Sequence, residues 1–338
     1  MPQVSIGLPV YNGERFLREA IDSLLAQTLD DFELIISDNA STDGTQEICE
    51  TYSTKDRRIR YYRSEANVGA GRNYNRVFEL SSGTYFKWAA HDDVCAPEFL
   101  EKCVAVLERD PPVVLCYPMM IDIDEEGRNL GRRYISHITR AERAASPKPY
   151  TRFRKLIKTD YTCEEIFGVI RADILRKTKL IQNYTDSDRT LLAELGLYGR
   201  FYEVPEVLFY HRLHKGMSTR VYSVWQERTA WFDPEKAGRP VFPLTRQMLE
   251  YFKSILRVRL RWHERPLCLT MMGLWFRDNW KSTLKELVDG FMWMMKGPSR
   301  SSSEEVARIT GTYPPSRPAG ADNVPTSRDS VGAGRSSG

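Results

Sequence analysis

Between Val4 and Pro118, short runs of β-branched and aromatic residues alternate with amphipathic stretches, a pattern that fits βαβ units around a largely parallel sheet and little else. VSIGLPV reads as a strand. ERFLREAIDSLLAQ after it sets Phe16, Ala20 and Leu24 on one helical stripe beside Leu17, Ile21 and Leu25. FELIISD, IRYYR, TYFKWAA and VVLCYP repeat the strand pattern, with helical stretches at ASTDGTQEICETY, GRNYNRVFELS and PEFLEKCVAVLER between them. Sheets of this kind bind ligands beyond the carboxyl ends of their strands, where loops converge without breaking the ladder. Four loops occupy such places, PVYNGE, SDNASTDGT, ANVGAGRN and AAHDD, and each carries Asp, Asn, Gly, Thr or Arg.

The character changes from about residue 119. MMIDIDEEGRNLG looks like a hairpin, and RAERAASPKPYTRF like a charged, mobile connection. SDRTLLAELGLYG returns to helical spacing, followed by the strand-like FYEVPEVLFYHR and the polar loop LHKGMSTR. Residues 241 to 296 carry Leu, Met, Trp and Arg at helical spacing, and the stretch from 298 is rich in Ser, Gly, Pro and Arg, the composition of a disordered tail.

The 49 basic residues nearly balance 45 acidic ones, which argues against a dedicated nucleic-acid binder. Six scattered cysteines with no C-x-x-C read as reduced thiols of a cytoplasmic protein, and no signal-like segment precedes VSIGLPV. No apolar run approaches the roughly 20 residues of a spanning helix, so an integral membrane protein is not expected.

Within WAAHDDVCAP, Asp92 and Asp93 follow a strand and precede Pro97, which could open a helix. Adjacent carboxylates there are either an acidic helix start or a seat for a hard divalent ion, Mg or Mn, that bridges them to phosphates. On local features alone the helix start is the better reading. Asp38 ends a strand and points at the crevice, where a carboxylate can meet a base or ribose. Asp43-Gly44 fits a plain turn.

The ordered combination changes that balance. VSIGLPVYNGERFLREAIDSLLAQTLDDFELIISDNASTDGT resembles the N-terminus of family 2 glycosyltransferases, nucleotide-sugar enzymes of GT-A fold, and ANVGAGRNYN and HDD with Pro97 resemble two further family motifs. The resemblance runs over roughly residues 3 to 220. It implies an α/β fold with a mostly parallel central sheet flanked by helices and a helical C-terminal extension. The corresponding division is a catalytic domain over 1–225 (nucleotide-sugar half 1–118, acceptor half 119–225), the extension over 226–297, and the tail over 298–338.

Carried over residue by residue, the resemblance assigns Pro9, Tyr11 and Glu14 to the first nucleotide-contacting loop, Asp38 to the base, and Arg72 with Asn73 to the loop flanking the nucleotide. Asp92 and Asp93 take the ribose and metal positions, and Asp188 in SDRTLLAEL that of catalytic base, with Asp186 in reserve. Two positions depart from the family pattern. Ala90 stands where the first acid of a spaced pair is usual, and Ser187 where Glu is usual. FYHRLHKGMSTR is similar to the loop that closes over the diphosphate, which makes His214 a metal or phosphate ligand and Arg212 a charge clamp. His211 reads as a core residue, and His91 is balanced between cleft and core.

The function implied is sugar transfer from a nucleoside diphosphate sugar to a hydroxyl of a glycan or lipid-linked acceptor, with inversion and a divalent metal. A nucleotide-sugar-binding scaffold and a nucleotidyltransferase are the alternatives. For residues 241–297 two readings stay open. The helices lie on the cytoplasmic face of a membrane, or they pack on the catalytic domain or a second subunit of a homo-oligomer.

Overall fold

The computed structural model describes residues 1–133, 144–158, 163–217, 221 and 225–296. Strands β1 (Val4–Val10), β2 (Phe32–Asp38), β3 (Ile59–Arg63) and β4 (Tyr85–Trp88) lie parallel in the order β3-β2-β1-β4, joined by α1 (Leu17–Leu25), α2 (Thr45–Lys55) and α3 (Ala70–Glu79). After β4 come the short β5 (Val94–Cys95), α4 (Phe99–Arg109), β6 (Val113–Ile123), β7 (Asn129–Arg133), α5 (Pro149–Leu156), β8 (Val169–Arg171) and α6 (Ala172–Leu175). Next are α7 (Ser187–Tyr198), β9 (Arg200–Arg212), α8 (Trp225–Phe232), α9 (Pro243–Arg257) and α10 (Glu264–Lys296).

The strands form one curled sheet in the order β3-β2-β1-β4-β8-β6-β9-β5, with β7 paired to β6 as the hairpin expected from MMIDIDEEGRNLG. β8 runs antiparallel to both β4 and β6, while β9 lies parallel to β6. Every residue of β1 and β2 is buried, because helices cover both faces of a parallel sheet. Gly7 is required in β1: a Cβ there would stand 2.6 Å from Val77 Cγ2 and 2.7 Å from the Phe86 ring, so its absence lets α3 lie close on the strand.

Alternation along β4 splits the core in two. Phe86 and Trp88 join Phe153, Leu192, Tyr251 and Trp275 on one face, and Tyr85 joins Ile6, Leu17, Leu34 and Phe99 on the other.

Of the charged connection expected over 140–153, residues 140–143 lie outside the described residues and the part from Pro149 is helical. Pro149 opens α5 at a position where its missing N–H costs nothing. The buried Arg152 on α5 donates from Nε to Gly196 O at 2.6 Å and from a terminal nitrogen to Ser146 O at 2.7 Å, tying α5 to the end of α7. The Ser, Gly, Pro and Arg tail lies outside the described residues.

α9 and α10 pack on the same body, α9 against α7 and α10 against α5. The Glu286 carboxylate accepts from the backbone N–H groups of Leu244 and Thr245 at 2.7 and 2.9 Å, so α10 satisfies orphan donors at the start of α9. Arg257 of α9 pairs with the buried Glu194 of α7 at 2.6 Å.

Candidate active site

A cleft of about 800 Å³ opens at the carboxyl ends of β1, β2 and β4 and is walled by α3, the start of α7, the end of β9 and α8. That volume falls within the range of small-ligand sites. Pro9, Tyr11 and Asn73 line it, as the sequence suggests. Asn73 also fixes the floor: its Nδ2 donates to Ser37 O at 2.9 Å and its Oδ1 accepts from the Ser37 hydroxyl at 2.6 Å, which locks α3 to β2.

Five acids line the cleft, Asp92 and Asp93 after β4, Glu164 ahead of β8, and Asp186 and Asp188 at the start of α7. Burial and the charges of Asp92, Asp93 and Asp188 together push the Tyr74 phenol up, so these three carboxylates act on one spot. Burial, then the Asp92 charge, pushes Asp93 up to about 7. Burial opposes the charge of Asp92 as well, but His91 and the hydrogen bond from His214 outweigh it and hold that carboxyl at about 2. Lys87, fully buried in β4, donates to Phe167 O at 2.7 Å and adds a positive charge behind Asp93.

Across the cleft, burial and then the Asp186 charge push Asp188 up to about 6. Asp186 takes a left-handed backbone conformation at φ 62°, a region Asp tolerates better than most residues. Ser187, the position where the family pattern has an acid, is instead fully buried with no partner for its hydroxyl among the described residues, so the acidic pair on this side is Asp186 and Asp188. The buried Thr185 hydroxyl also lines the cleft and has no partner among the described residues.

His214 lies in the cleft, but its ring nitrogens are both engaged. Its Nε2 is 2.8 Å from Asp92 Oδ2, and its Nδ1 accepts from the Gly216 N–H at 3.2 Å, which puts the proton on Nε2. In this arrangement His214 orients Asp92. Among the described residues no group of three His, Cys, Asp or Glu side chains is placed to hold a metal. Asp92 and Asp93 nevertheless fit a hard divalent ion that takes its other ligands from phosphate and water, and the mutual repulsion seen in Asp93 is what such an ion would relieve.

Four expected ligand-binding residues stand away from the cleft lining, each for a definable reason. Arg212 is buried and spends its guanidinium on Glu19 at 2.6 Å and on the carbonyls of Asp92, Asp124 and Glu125 at 2.9 to 3.1 Å. It therefore clamps the β6–β7 hairpin and the Asp92 loop to α1, not a diphosphate. Asp38 is fully buried, with Oδ1 accepting from Ser41 N at 2.8 Å and Oδ2 from Arg63 at 2.6 Å and Tyr61 at 2.9 Å. Glu14 accepts from the Gly44 N–H at 2.9 Å ahead of α2, and Arg72 pairs with Glu235 at 2.9 Å.

The cleft also holds residues that the sequence did not single out. Asn39 donates to Asn67 at 2.8 Å, which pins the ANVGAG loop to the end of β2. Both residues stand inside quoted loops, so their position was a usable signal. Arg189, next to Asp188 in SDRTLLAEL, had the same signal, whereas Arg228 and Trp231 had none, and His91 and His211 prove to be cleft residues as well.

The comparisons with known proteins agree with this architecture. The crystal structure of S. aureus TarS 1–349 in complex with UDP-GlcNAc superposes with a TM-score of 0.58 at 16% identity, covering 92% of this chain and 80% of that one, which establishes the GT-A fold. A glycosyltransferase of Haemophilus influenzae is 27% identical over 243 residues, 68% of this chain and 71% of its own. A Rickettsia felis glycosyltransferase is 39% identical over 137 residues and the chondroitin synthase of Escherichia coli 28% over 222, or 40% and 65% of this chain, yet the matches span only 22% and 30% of those longer proteins. The profile of glycosyl transferase family 2 matches residues 5–178, more than half of the chain and every strand from β1 to β8. With the cleft at the carboxyl ends of those strands, the protein belongs to glycosyltransferase family 2.

Proposed function

We propose that the protein transfers a sugar from a nucleoside diphosphate sugar to a hydroxyl of a glycan or lipid-linked acceptor, with inversion at the anomeric carbon. The observation that carries this reading is the division of the cleft acids, one pair after β4 and a raised carboxyl at the start of α7, which line one cleft with Tyr74 and act together on its phenol. Asp188 accepts the proton of the acceptor hydroxyl as it attacks the anomeric carbon, and the nucleoside diphosphate leaves from the opposite face. A group with pKa about 6 is charged at neutral pH yet basic enough to take that proton. Thr185 offers the acceptor side a hydroxyl in need of a partner. Arg189 and Arg228 supply positive charge along the cleft. Asp92 and Asp93 would hold Mg or Mn, whose contribution is to neutralise the departing diphosphate.

The test is a thermal-shift panel of UDP, GDP and dTDP sugars with and without Mg or Mn, followed by an assay for released nucleoside diphosphate. UDP sugars come first because the TarS structure holds UDP-GlcNAc. A donor that raises the midpoint and is then slowly hydrolysed or transferred supports the reading, whereas tight binding with no turnover points to a scaffold.

A pH dependence follows. Asp188 works as the carboxylate, so turnover falls as pH drops through about 6. Because the Asp186 charge contributes to that raised value, Asp186→Asn moves the acid limb of the rate profile downward in pH. An unmoved limb would assign the titration to another group.

A further inference from the structure

α10 is apolar around far more of its circumference than its neighbours cover. Cys268, Met272, Trp275 and Thr283 face the body of the protein and are buried. One residue further on, Leu269, Phe276, Trp280, Leu284, Leu287 and Phe291 are all exposed, at spacings of seven, four, four, three and four. Those spacings keep them on a single stripe of the helix, about 33 Å long at 1.5 Å per residue. At the turn that leads into α10, Trp262 is 87% exposed between Arg261 and His263. Exposed apolar runs of this extent mark an interaction surface.

Charge decides which partner the surface fits. Lys281 and Lys285 stand one residue after Trp280 and Leu284 and so border the stripe, and Arg259 and Arg261 flank Trp262. None of these four side chains makes an ion pair with an acid among the described residues. If two copies paired antiparallel through the stripe about Trp280, Lys281 and Lys285 of both would be brought together, and like charges would oppose the contact. A lipid surface reverses that sign. Apolar and Trp side chains enter the boundary between headgroups and acyl chains while Lys and Arg reach the phosphates. No described helix is long and apolar enough to cross a membrane, so α10 would lie along the surface and not span it.

We infer that the exposed face of α10, with the Trp262 turn, docks the enzyme on a membrane rich in anionic lipid. The route from that face to the cleft is short. α10 packs on α9, and Glu250 of α9 accepts at 3.2 Å from Gln182, four residues before Asp186. A surface-bound enzyme would thus hold its acceptor-side acids, at the start of α7, beside a helix pair anchored to the lipid.

The experiment is co-sedimentation of the full chain with vesicles of phosphatidylglycerol and phosphatidylcholine, and of phosphatidylcholine alone, with light scattering of the free protein alongside. The expected result is binding to the anionic vesicles at least tenfold stronger than to the neutral ones. Both Phe276→Ser/Trp280→Ser/Leu284→Ser and Lys281→Glu/Lys285→Glu should reduce it tenfold or more. These side chains are exposed, so the donor thermal shift should stay as in the wild type, and a failure of docking is thereby kept apart from a failure of the sugar-transfer reading. Absence of binding by the wild type, or binding untouched by both variants, overturns the inference. So does a wild-type dimer that the serine variant splits into monomers without any vesicle binding, which would make the face a contact between copies.

Discussion

Asp188→Asn is expected to lower the turnover of sugar transfer by about 10² to 10⁴, the usual contribution of a positioned general base, while leaving the donor-induced thermal shift unchanged. The amide keeps the shape of the side chain and can still accept the Arg189 N–H that meets Asp188 Oδ1 at 2.8 Å, so the start of α7 should hold its form. The variant should even gain stability at neutral pH. Burial raises the Asp188 pKa to about 6, so the folded state prefers the protonated acid. Stability is then lost as pH rises from the ordinary carboxyl range through about 6, and Asn removes that loss. Steady-state kinetics and urea denaturation of the same preparation measure both effects. Undiminished turnover eliminates the assignment and moves attention to Asp186, the neighbouring acid in the cleft.

Arg212→Met should instead act on the fold. Removing the guanidinium leaves the Asp92, Asp124 and Glu125 carbonyls without their shared donor, while the half-exposed Glu19 carboxylate turns to water. Leaving buried acceptors unsatisfied costs about 1 to 3 kcal/mol. The measurement is the free energy of urea unfolding, with donor affinity determined at a temperature where the variant remains folded. A role in gripping diphosphate would give the opposite result, weakened donor binding with stability close to wild type.

Much of the fold was legible in local pattern. β1 and β2 are mainly apolar, fully buried runs because the sheet is covered on both faces, and the helices after them carry stripes at the helical period. The hairpin of β6 and β7 and the helix at SDRTLLAELGLY follow from turn residues and spacing in the same way. α5 was hidden because its interactions are remote. Arg152 is held by carbonyls of Ser146, Gly196 and Leu197, and in sequence it reads only as part of a charged stretch.

The division of the chain shows a similar limit. A boundary at 226 falls inside α8, yet Arg228, Trp231 and Phe232 of that helix wall the cleft. The composition of α8 carries no sign of this, since its neighbour α3 lies some 150 residues earlier.

By itself the sequence determined the βαβ order, the loops that meet at one end of the sheet, and four acids arranged as two pairs along the chain, because periodicity and turn chemistry are local properties. Only the tertiary structure decided what each side chain is free to do. Asp38, Arg212 and His214 have the residue types that bind nucleotides and metals, but in the fold they are buried against Arg63, Glu19 and Asp92, while the more exposed Glu14 and Arg72 meet Gly44 and Glu235. The physical reason is that a buried polar group must find a partner. Whether that partner is the protein or a ligand depends on which segments the fold brings within 3 Å, and no local pattern records that distance.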